Sequence, residues 1–121
     1  MNTINFTADL EPVPFKRVRA NGKHYFNCKR YSLFKEVLGH LAKIAMKGNE
    51  PLKGSIKISV NFFRPLKPYS LNYGDLDNHL KAVLDALNGI CFFDDRQVIS
   101  ATVNLFQDFP HIDILIEEVK E

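Results

Sequence analysis

The sequence predicts an α+β fold in which two helices pack on one mixed β-sheet. Two segments carry apolar residues at helical spacing, and several others alternate between apolar and polar residues as half-buried strands do. Of the 121 residues, 45% are hydrophobic and 25% are charged, which is the balance of a soluble globular protein. Because this length suits one hydrophobic core, we expect a single domain over residues 1–121.

The first part of the chain is expected to form a strand, a hairpin and a helix. The strand covers Thr3–Leu10 and ends before Pro12, because proline cannot donate a hydrogen bond to a central ladder. A hairpin is predicted at Asn21-Gly22, since both residues tolerate the positive φ angles of a two-residue turn. The helix runs from about Tyr31 to Met46, where apolar residues recur at helical spacing.

The second part is expected to form a strand, a helix and two further strands. Residues Ser55–Phe62 alternate strictly between apolar and polar side chains, as a half-buried strand requires. The second helix covers Leu76 to about Leu87, and strands follow at Ile99–Leu105 and Ile112–Ile116. The apolar stripe of this helix consists of Leu76, Leu80, Val83, Leu84 and Leu87.

Charge is distributed unevenly along the chain, although the net charge is only +2. Residues 1–74 contain 13 Lys and Arg against 4 Asp and Glu, a net charge of +9. Residues 75–121 contain 3 against 10, a net charge of −7. The basic part favours a polyanionic partner, and the acidic part needs a separate explanation.

The sequence favours a cytoplasmic protein that does not contact a membrane. Its N-terminus lacks the basic start and apolar core of a signal peptide, and no apolar run approaches the ~20 residues that span a bilayer. Cys28 and Cys91 show no zinc-binding spacing. Two buried thiols in a reducing compartment are therefore expected.

Five aspartates lie between positions 74 and 98, in a stretch that is otherwise largely apolar. On the second helix, Asp77, Lys81 and Asp85 are spaced four residues apart, so they share one strip beside the apolar stripe. In a purely structural interpretation, Asp75 caps the helix and Asp77 pairs with Lys81. For this helix alone, the structural and functional interpretations are equally supported.

Asp94 and Asp95 favour the functional interpretation. They directly follow the apolar run Ile90–Phe93, which is typical of a buried strand or turn, where an uncompensated carboxylate is costly. If a strand beginning with this run folds back along the helix, then Asp75, Asp77 and one of the pair converge. Carboxylates are hard oxygen ligands suited to Mg²⁺ or Mn²⁺.

This arrangement predicts phosphodiester chemistry and gives Lys81 a role beyond ion pairing. Magnesium usually binds through a few carboxylates together with substrate phosphates, so an acidic site facing a basic surface is typical of such reactions. Lys81, one turn from Asp77, would orient the attacking water or stabilise charge in the transition state. A structural calcium site is the alternative, although the spacing differs from that of an EF-hand loop.

The segment "DLDNHLKAVLDALNG", followed by "DDRQV", resembles the RusA family of Holliday junction resolvases, whose pattern is D-[LI]-D-N-x-x-K-x-x-x-D-x-L-x-G and then D-D-x-Q-V. Weaker similarity in "PVPFKRVRANGKHYF" extends the resemblance over nearly the whole chain. The resemblance implies that Asp75, Asp77 and Asp95 are catalytic, metal-binding carboxylates. It implies that Lys81 is the essential lysine. The motif positions given a supporting role are Asn78, Asp85 and Asp94.

The resemblance also implies a reaction, a cofactor and partners. By this resemblance, the protein is expected to be a Mg²⁺-dependent endodeoxyribonuclease that acts in recombination and repair, with Mn²⁺ as a possible substitute for Mg²⁺. The expected enzyme is a homodimer that binds branched DNA and makes symmetric cuts in a four-way junction. A single domain of this size would not easily span both scissile strands, which also favours a homodimer.

Several cations and a tyrosine outside the motif are predicted to contact DNA. Some family members carry arginines directly before the first aspartate, whereas "LNYG" occupies that place here and the nearest cations are Arg64 and Lys67. A basic hairpin is well shaped to follow a phosphate backbone, and tyrosines of the loop before Asp75 are candidates for stacking on open bases. The predicted DNA-binding residues are Lys16, Arg17, Arg19, Lys23, Arg64, Lys67 and Tyr73.

Two other functions stay open on the sequence alone. One is a catalytically inactive protein that binds branched DNA, which metal-independent binding without nicking would indicate. The other is a nuclease that acts on different branched nucleic acids, such as a flap or an RNA, which a comparison of cleavage products would separate.

Overall fold

Four strands, two α-helices and one short 3₁₀ helix make up the computed structural model, which describes residues 2–15 and 25–119 and, of residues 25–28, the backbone only. The elements in chain order are β1 (Thr3–Ala8), α1 (Tyr25–Met46), β2 (Ile56–Arg64), α2 (Leu76–Leu87), the 3₁₀ helix (Asp95–Gln97), β3 (Val98–Gln107) and β4 (His111–Glu118). The predicted α+β fold, with a mixed sheet and two helices in one domain, is confirmed.

The strands form one sheet in the order β1, β4, β2, β3. β4 pairs antiparallel with both β1 and β2, whereas β2 and β3 are parallel neighbours. Parallel neighbours need a crossover connection, and α2 provides it between β2 and β3. Because α2 runs back along the sheet, its first residues lie near the C-terminal ends of these two strands.

The helices and one face of the sheet enclose a single hydrophobic core. Ile56, Ile58 and Val60 of β2 are buried there, together with Leu38 of α1 and Val83 of α2. The alternation predicted for β2 is therefore confirmed. Positions 57, 59, 61 and 63 of the same strand are exposed or half-buried, because successive side chains of a strand point to opposite faces.

Several predicted elements differ in their bounds from the observed ones, and one cannot be compared. α1 begins at Tyr25 rather than Tyr31, since residues 25–30 contain no glycine or proline to stop it. The run Ile90–Phe93, expected to form a buried strand or turn, forms turns and isolated bridges. Within it, Cys91 is a fully buried core residue, and this burial raises the pKa of its thiol to about 12. The predicted hairpin at Asn21-Gly22 lies outside the described residues.

The bounds of α2 agree with the sequence prediction, but its buried face is displaced from the predicted stripe. Leu76 is exposed, and His79, which has no place in the predicted stripe, is fully buried. The whole buried face consists of His79, Ala82, Val83, Ala86 and Leu87. A polar residue therefore occupies the core side of the first turns. Neither described helix is long and apolar enough to cross a membrane.

Candidate active site

Helix α2 starts on a buried polar platform, which we define as Arg64, Tyr73 and His79. Arg64 ends β2, and its Nε donates a hydrogen bond of 3.1 Å to Oε1 of Glu11. Its Nη1 donates to the backbone carbonyl oxygens of Asn72 and Tyr73. A buried guanidinium needs such partners, because leaving its charge unpaired inside the protein would be costly.

Tyr73 and His79 complete the platform. The Tyr73 hydroxyl donates toward the carbonyl oxygens of Phe62 and Phe106, at 3.0 and 2.6 Å. Nε2 of His79 donates to the Tyr73 carbonyl oxygen at 2.7 Å, which identifies Nε2 as the protonated ring nitrogen. Burial is the largest cause that lowers the pKa of His79, so its ring is neutral at pH 7. These contacts anchor the loop before α2 to the ends of β2 and β3.

Gly74 allows the chain to pass from this platform into the helix. Its φ angle is +96°, a region that side chains of L-residues rarely adopt. A Cβ atom there would lie 2.7 Å from Cγ of Pro14 and 3.1 Å from Nε2 of His79. Glycine is therefore required, and the next residue, Asp75, is held at a defined place.

The two aspartates at the start of α2 are exposed, and their side chains make fewer contacts than the structural interpretation predicts. Asp75 occupies the N-cap position, but its carboxylate makes no capping hydrogen bond. Asp77 lies in the first turn, and no ion pair joins it to Lys81 among the described residues. The structural interpretation is therefore right about the N-cap position of Asp75 and wrong about the Asp77–Lys81 pair. The helix dipole still favours negative charge at this end.

Lys81 is positioned by aromatic rings instead of by an acid. Its Nζ atom lies 4.8 Å from the centre of the Phe15 ring, a cation–π distance. Phe15 contacts the Tyr31 ring edge to face at 5.5 Å. The Tyr31 hydroxyl donates to Oδ2 of Asp85 at 2.8 Å, and burial followed by this bond raises the pKa of Tyr31. Sequence reasoning missed Phe15 and Tyr31, because nothing in their local pattern indicates that they meet α2.

The 3₁₀ helix after α2 is held by a capping box. The Asp94 carboxylate accepts hydrogen bonds from the backbone N–H and the Nε of Arg96, at 3.0 and 3.2 Å. The Gln97 side chain accepts from the backbone N–H of Asp94 and donates to the carbonyl oxygens of Leu52 and Gly54. The bond from the Arg96 backbone is the main cause that lowers the pKa of Asp94.

Asp85, Asp94 and Asp95 form what we call the carboxylate cluster. A hydrogen bond with the Asp94 carboxyl group is the largest cause that raises the pKa of Asp95. The charges of Asp94 and Asp85 raise this pKa further, whereas the charge of Lys81 lowers it. Asp95 therefore lies beside the middle of α2 and carries like charges as neighbours. Like charges placed this close together favour the uptake of a proton by Asp95.

The described residues do not form a metal-binding group of three or more His, Cys, Asp or Glu side chains. Among the described residues, Asp75, Asp77 and Asp95 are not already gathered as a set of metal ligands, and their convergence on a metal ion stays a prediction. Ile90–Phe93 forms turns, and Asp95 lies where the charges of Lys81 and Asp85 act on it. The chemistry of the donors still suits Mg²⁺, since all three carboxylates are exposed hard oxygen ligands.

The model of the family "Endodeoxyribonuclease RusA" matches residues 9–117 of this chain. The chain belongs to the RusA family. RusA proteins are endodeoxyribonucleases, and membership implies Holliday junction resolvase activity on branched DNA. The chain is also similar to the uncharacterized protein YqaN of Bacillus subtilis strain 168, with 29% identity over 142 aligned positions. That alignment covers 98% of this chain and 99% of YqaN.

The residues predicted from the sequence to bind DNA fall into three groups in the structure: buried, exposed, and outside the described part. Arg64 and Tyr73 are buried in the platform, so the predictions that they contact DNA are wrong in this arrangement. Lys67 is exposed, with its Nζ 6.0 Å from the centre of the exposed Tyr69 ring. Side chains alternate between the two faces of β2, and Arg64 is buried because its side chain lies on the same face as those of residues 56, 58, 60 and 62. The residues that lie outside the described part are Lys16, Arg17, Arg19 and Lys23.

Proposed function

We propose that this protein is a metal-dependent, structure-selective endonuclease that resolves four-way DNA junctions by symmetric paired nicks during recombination and repair. The observation that carries the proposal is the pair of exposed carboxylates, Asp75 and Asp77, at the start of a helix anchored by buried hydrogen bonds. Membership of the RusA family supports the reaction class. Catalytic acids need such support, because their positions must be held closely for the reaction.

In this proposal, Asp75, Asp77 and Asp95 hold Mg²⁺, for which Mn²⁺ can substitute. The like charges around Asp95 support cation binding, since a divalent ion would relieve their repulsion. When bound, the ion supplies Lewis acidity toward the phosphate group under attack.

Lys81 is the catalytic cation of the proposed site. Its ammonium group lies over Phe15, and its charge acts on Asp95. From this place it would stabilise negative charge on the phosphate oxygens as the phosphodiester bond breaks. The supporting residues act less directly: Asp85 accepts from Tyr31, Asp94 caps the 3₁₀ helix, and the Asn78 carbonyl accepts from the backbone N–H of Phe15 at 2.9 Å.

DNA binding is assigned to the basic first part of the chain. The net charge of +9 over residues 1–74 supports contacts with phosphates, for which Lys67 is an exposed candidate. A homodimer would present two such sites to the two strands that are cut. The remaining proposed phosphate contacts are Lys16, Arg17, Arg19 and Lys23.

The proposal is tested by incubating the protein with a synthetic four-way junction and with a linear duplex of matched sequence, in Mg²⁺ and in EDTA. The intact protein is expected to nick the junction symmetrically and only with the metal. Asp75→Asn should lower the rate by about a hundredfold or more, because transition-state stabilisation of several kcal/mol is lost. Asp9→Asn, which changes an exposed aspartate of the basic part, is the matched control and should retain activity.

A second function is a protein that binds branched DNA without cutting it. The absence of a formed three-ligand group among the described residues favours this alternative. It would be supported if the junction is bound equally in Mg²⁺ and EDTA and is never nicked. Nicking of a flap or of branched RNA in preference to the junction would instead indicate a nuclease of different specificity.

A further inference from the structure

Four aromatic rings form a nearly parallel stack on the face of the sheet opposite the helices. We call Phe106, Phe63, His111 and Phe109, in this spatial order, the aromatic stack. The ring centres of Phe106 and Phe63 are 5.1 Å apart, with 18° between their planes. Phe63 and His111 are 3.9 Å apart at 7°, and His111 and Phe109 are 4.2 Å apart at 20°.

Strand register and one turn assemble this stack. Phe63 of β2 pairs with Phe106 of β3 on one side and with His111 of β4 on the other. The turn between β3 and β4 then adds Phe109, whose carbonyl oxygen lies 2.8 Å from Nδ1 of His111. The backbone N–H of Asp108 donates to the Arg64 carbonyl oxygen, which ties the turn to β2. The rings are therefore held by the backbone on both sides.

The inner and outer rings of the stack differ in exposure. His111 is buried and Phe63 half-buried, whereas Phe106 is 43% and Phe109 61% exposed. A stack with large exposed rings at its ends presents apolar, planar surface to solvent, which folding alone does not require. The end rings are thus available to a further planar group.

The surroundings favour a nucleic-acid base as that planar group. The loop that starts after Arg64 carries exposed Lys67 and Tyr69 at the same end of the sheet, a cation next to an aromatic ring. Stacking aromatics beside cations are typical of surfaces that bind unpaired nucleotides. The Asp108 carboxylate, which would oppose a phosphate, is bonded to the backbone N–H of Phe109 within its own turn at 2.8 Å.

The stack is also linked to the carboxylates at the start of α2. The Tyr73 hydroxyl donates to the carbonyl oxygen of Phe106, and Gly74 and Asp75 follow Tyr73 directly. The stack and the start of α2 are therefore joined through the backbone of β3 at Phe106.

We propose that Phe106 and Phe109 stack on unpaired bases of the DNA whose backbone is held at Asp75 and Asp77. This inference rests on the proposed function for its biological setting, but the binding it describes can be measured without cleavage. Bases open most easily at a branch point, so this contact would favour branched or single-stranded DNA over a continuous duplex.

The test uses tryptophan fluorescence, because the chain contains no tryptophan. Phe109→Trp introduces one reporter into the stack, and Leu33→Trp places a control reporter on α1 at the same exposure of 61%. Both proteins are titrated in EDTA with a four-way junction, a single-stranded oligonucleotide and a blunt duplex. Unpaired DNA should quench the Phe109→Trp signal and leave the Leu33→Trp signal unchanged.

Phe109→Leu gives the matching affinity measurement, since it keeps an apolar side chain and removes the ring. Its affinity for the single-stranded oligonucleotide should fall about fivefold to a hundredfold relative to the intact protein, and Phe109→Trp should restore it. Unchanged affinity, or equal quenching of both reporters, would overturn the inference. A change in molecular mass by light scattering without a change in DNA affinity would also overturn it, by making the stack a subunit interface.

The result is separable from the test of the nuclease. A protein that stacks on bases but never nicks a junction would refute the proposed function and support this inference. A protein that nicks the junction normally as Phe109→Leu, with unchanged affinity, would do the reverse.

Discussion

The buried platform and the carboxylate cluster both involve helix α2, but charges are compensated by partners in the platform, whereas like charges are neighbours in the cluster. In the platform, Arg64 is paired with Glu11 and with two carbonyl oxygens, and His79 is kept neutral. In the cluster, Asp95 is exposed beside two other acids, and its pKa is raised by them. Charge inside the protein must be compensated for the fold to be stable, whereas exposed charge can be left unbalanced. The unbalanced region is the one available for chemistry.

The largest effect on stability is expected from breaking the platform at Arg64. Arg64→Ala removes the partner of Glu11 and leaves the carbonyl oxygens of Asn72 and Tyr73 without a donor. The free energy of unfolding should fall by about 3–5 kcal/mol, as when one partner of a buried ion pair is removed. Urea denaturation followed by circular dichroism measures this change. Lys67→Ala, at the exposed cation of the next loop, is the control and should change it by less than about 0.5 kcal/mol.

A smaller loss is expected when only the Tyr73 hydroxyl is removed. Tyr73→Phe keeps the buried ring but leaves the carbonyl oxygens of Phe62 and Phe106 without this donor, which should cost about 1–3 kcal/mol. The matched control is Tyr69→Phe, because the Tyr69 ring is exposed. Equal stability of the two variants in urea would show that the Tyr73 hydroxyl does not anchor the loop.

The smallest stability change, with the largest loss of function, is expected at Asp95. Asp95→Asn should alter the free energy of unfolding by less than about 0.5 kcal/mol, because the residue is exposed, while junction nicking is lost. Folding raises the pKa of Asp95 and so favours its protonated form, which means that its ionised form destabilises the fold. If Asp95→Asn has a higher free energy of unfolding than the intact protein at pH 7, this difference should therefore shrink as the pH falls and Asp95 of the intact protein becomes protonated. A clear loss of stability at pH 7 would instead make the cluster structural.

Local periodicity was sufficient to predict the elements that form the core. The bounds of α2 and the alternation of β2 follow from the spacing of apolar residues within a single segment. The motif around Asp75 likewise indicates the RusA family from contiguous residues. These features depend on neighbours in sequence, so they can be read without the fold.

The sequence by itself determined the α+β class, the main elements and the identity of the exposed acids at the start of α2. Only the tertiary structure decided that Arg64 and Tyr73 are buried, that Asp95 lies beside Lys81, and that three strands assemble an aromatic stack. Each of these features joins residues far apart in the chain. They depend on strand register, on the direction of a turn and on the packing of one element against another, which local periodicity does not encode.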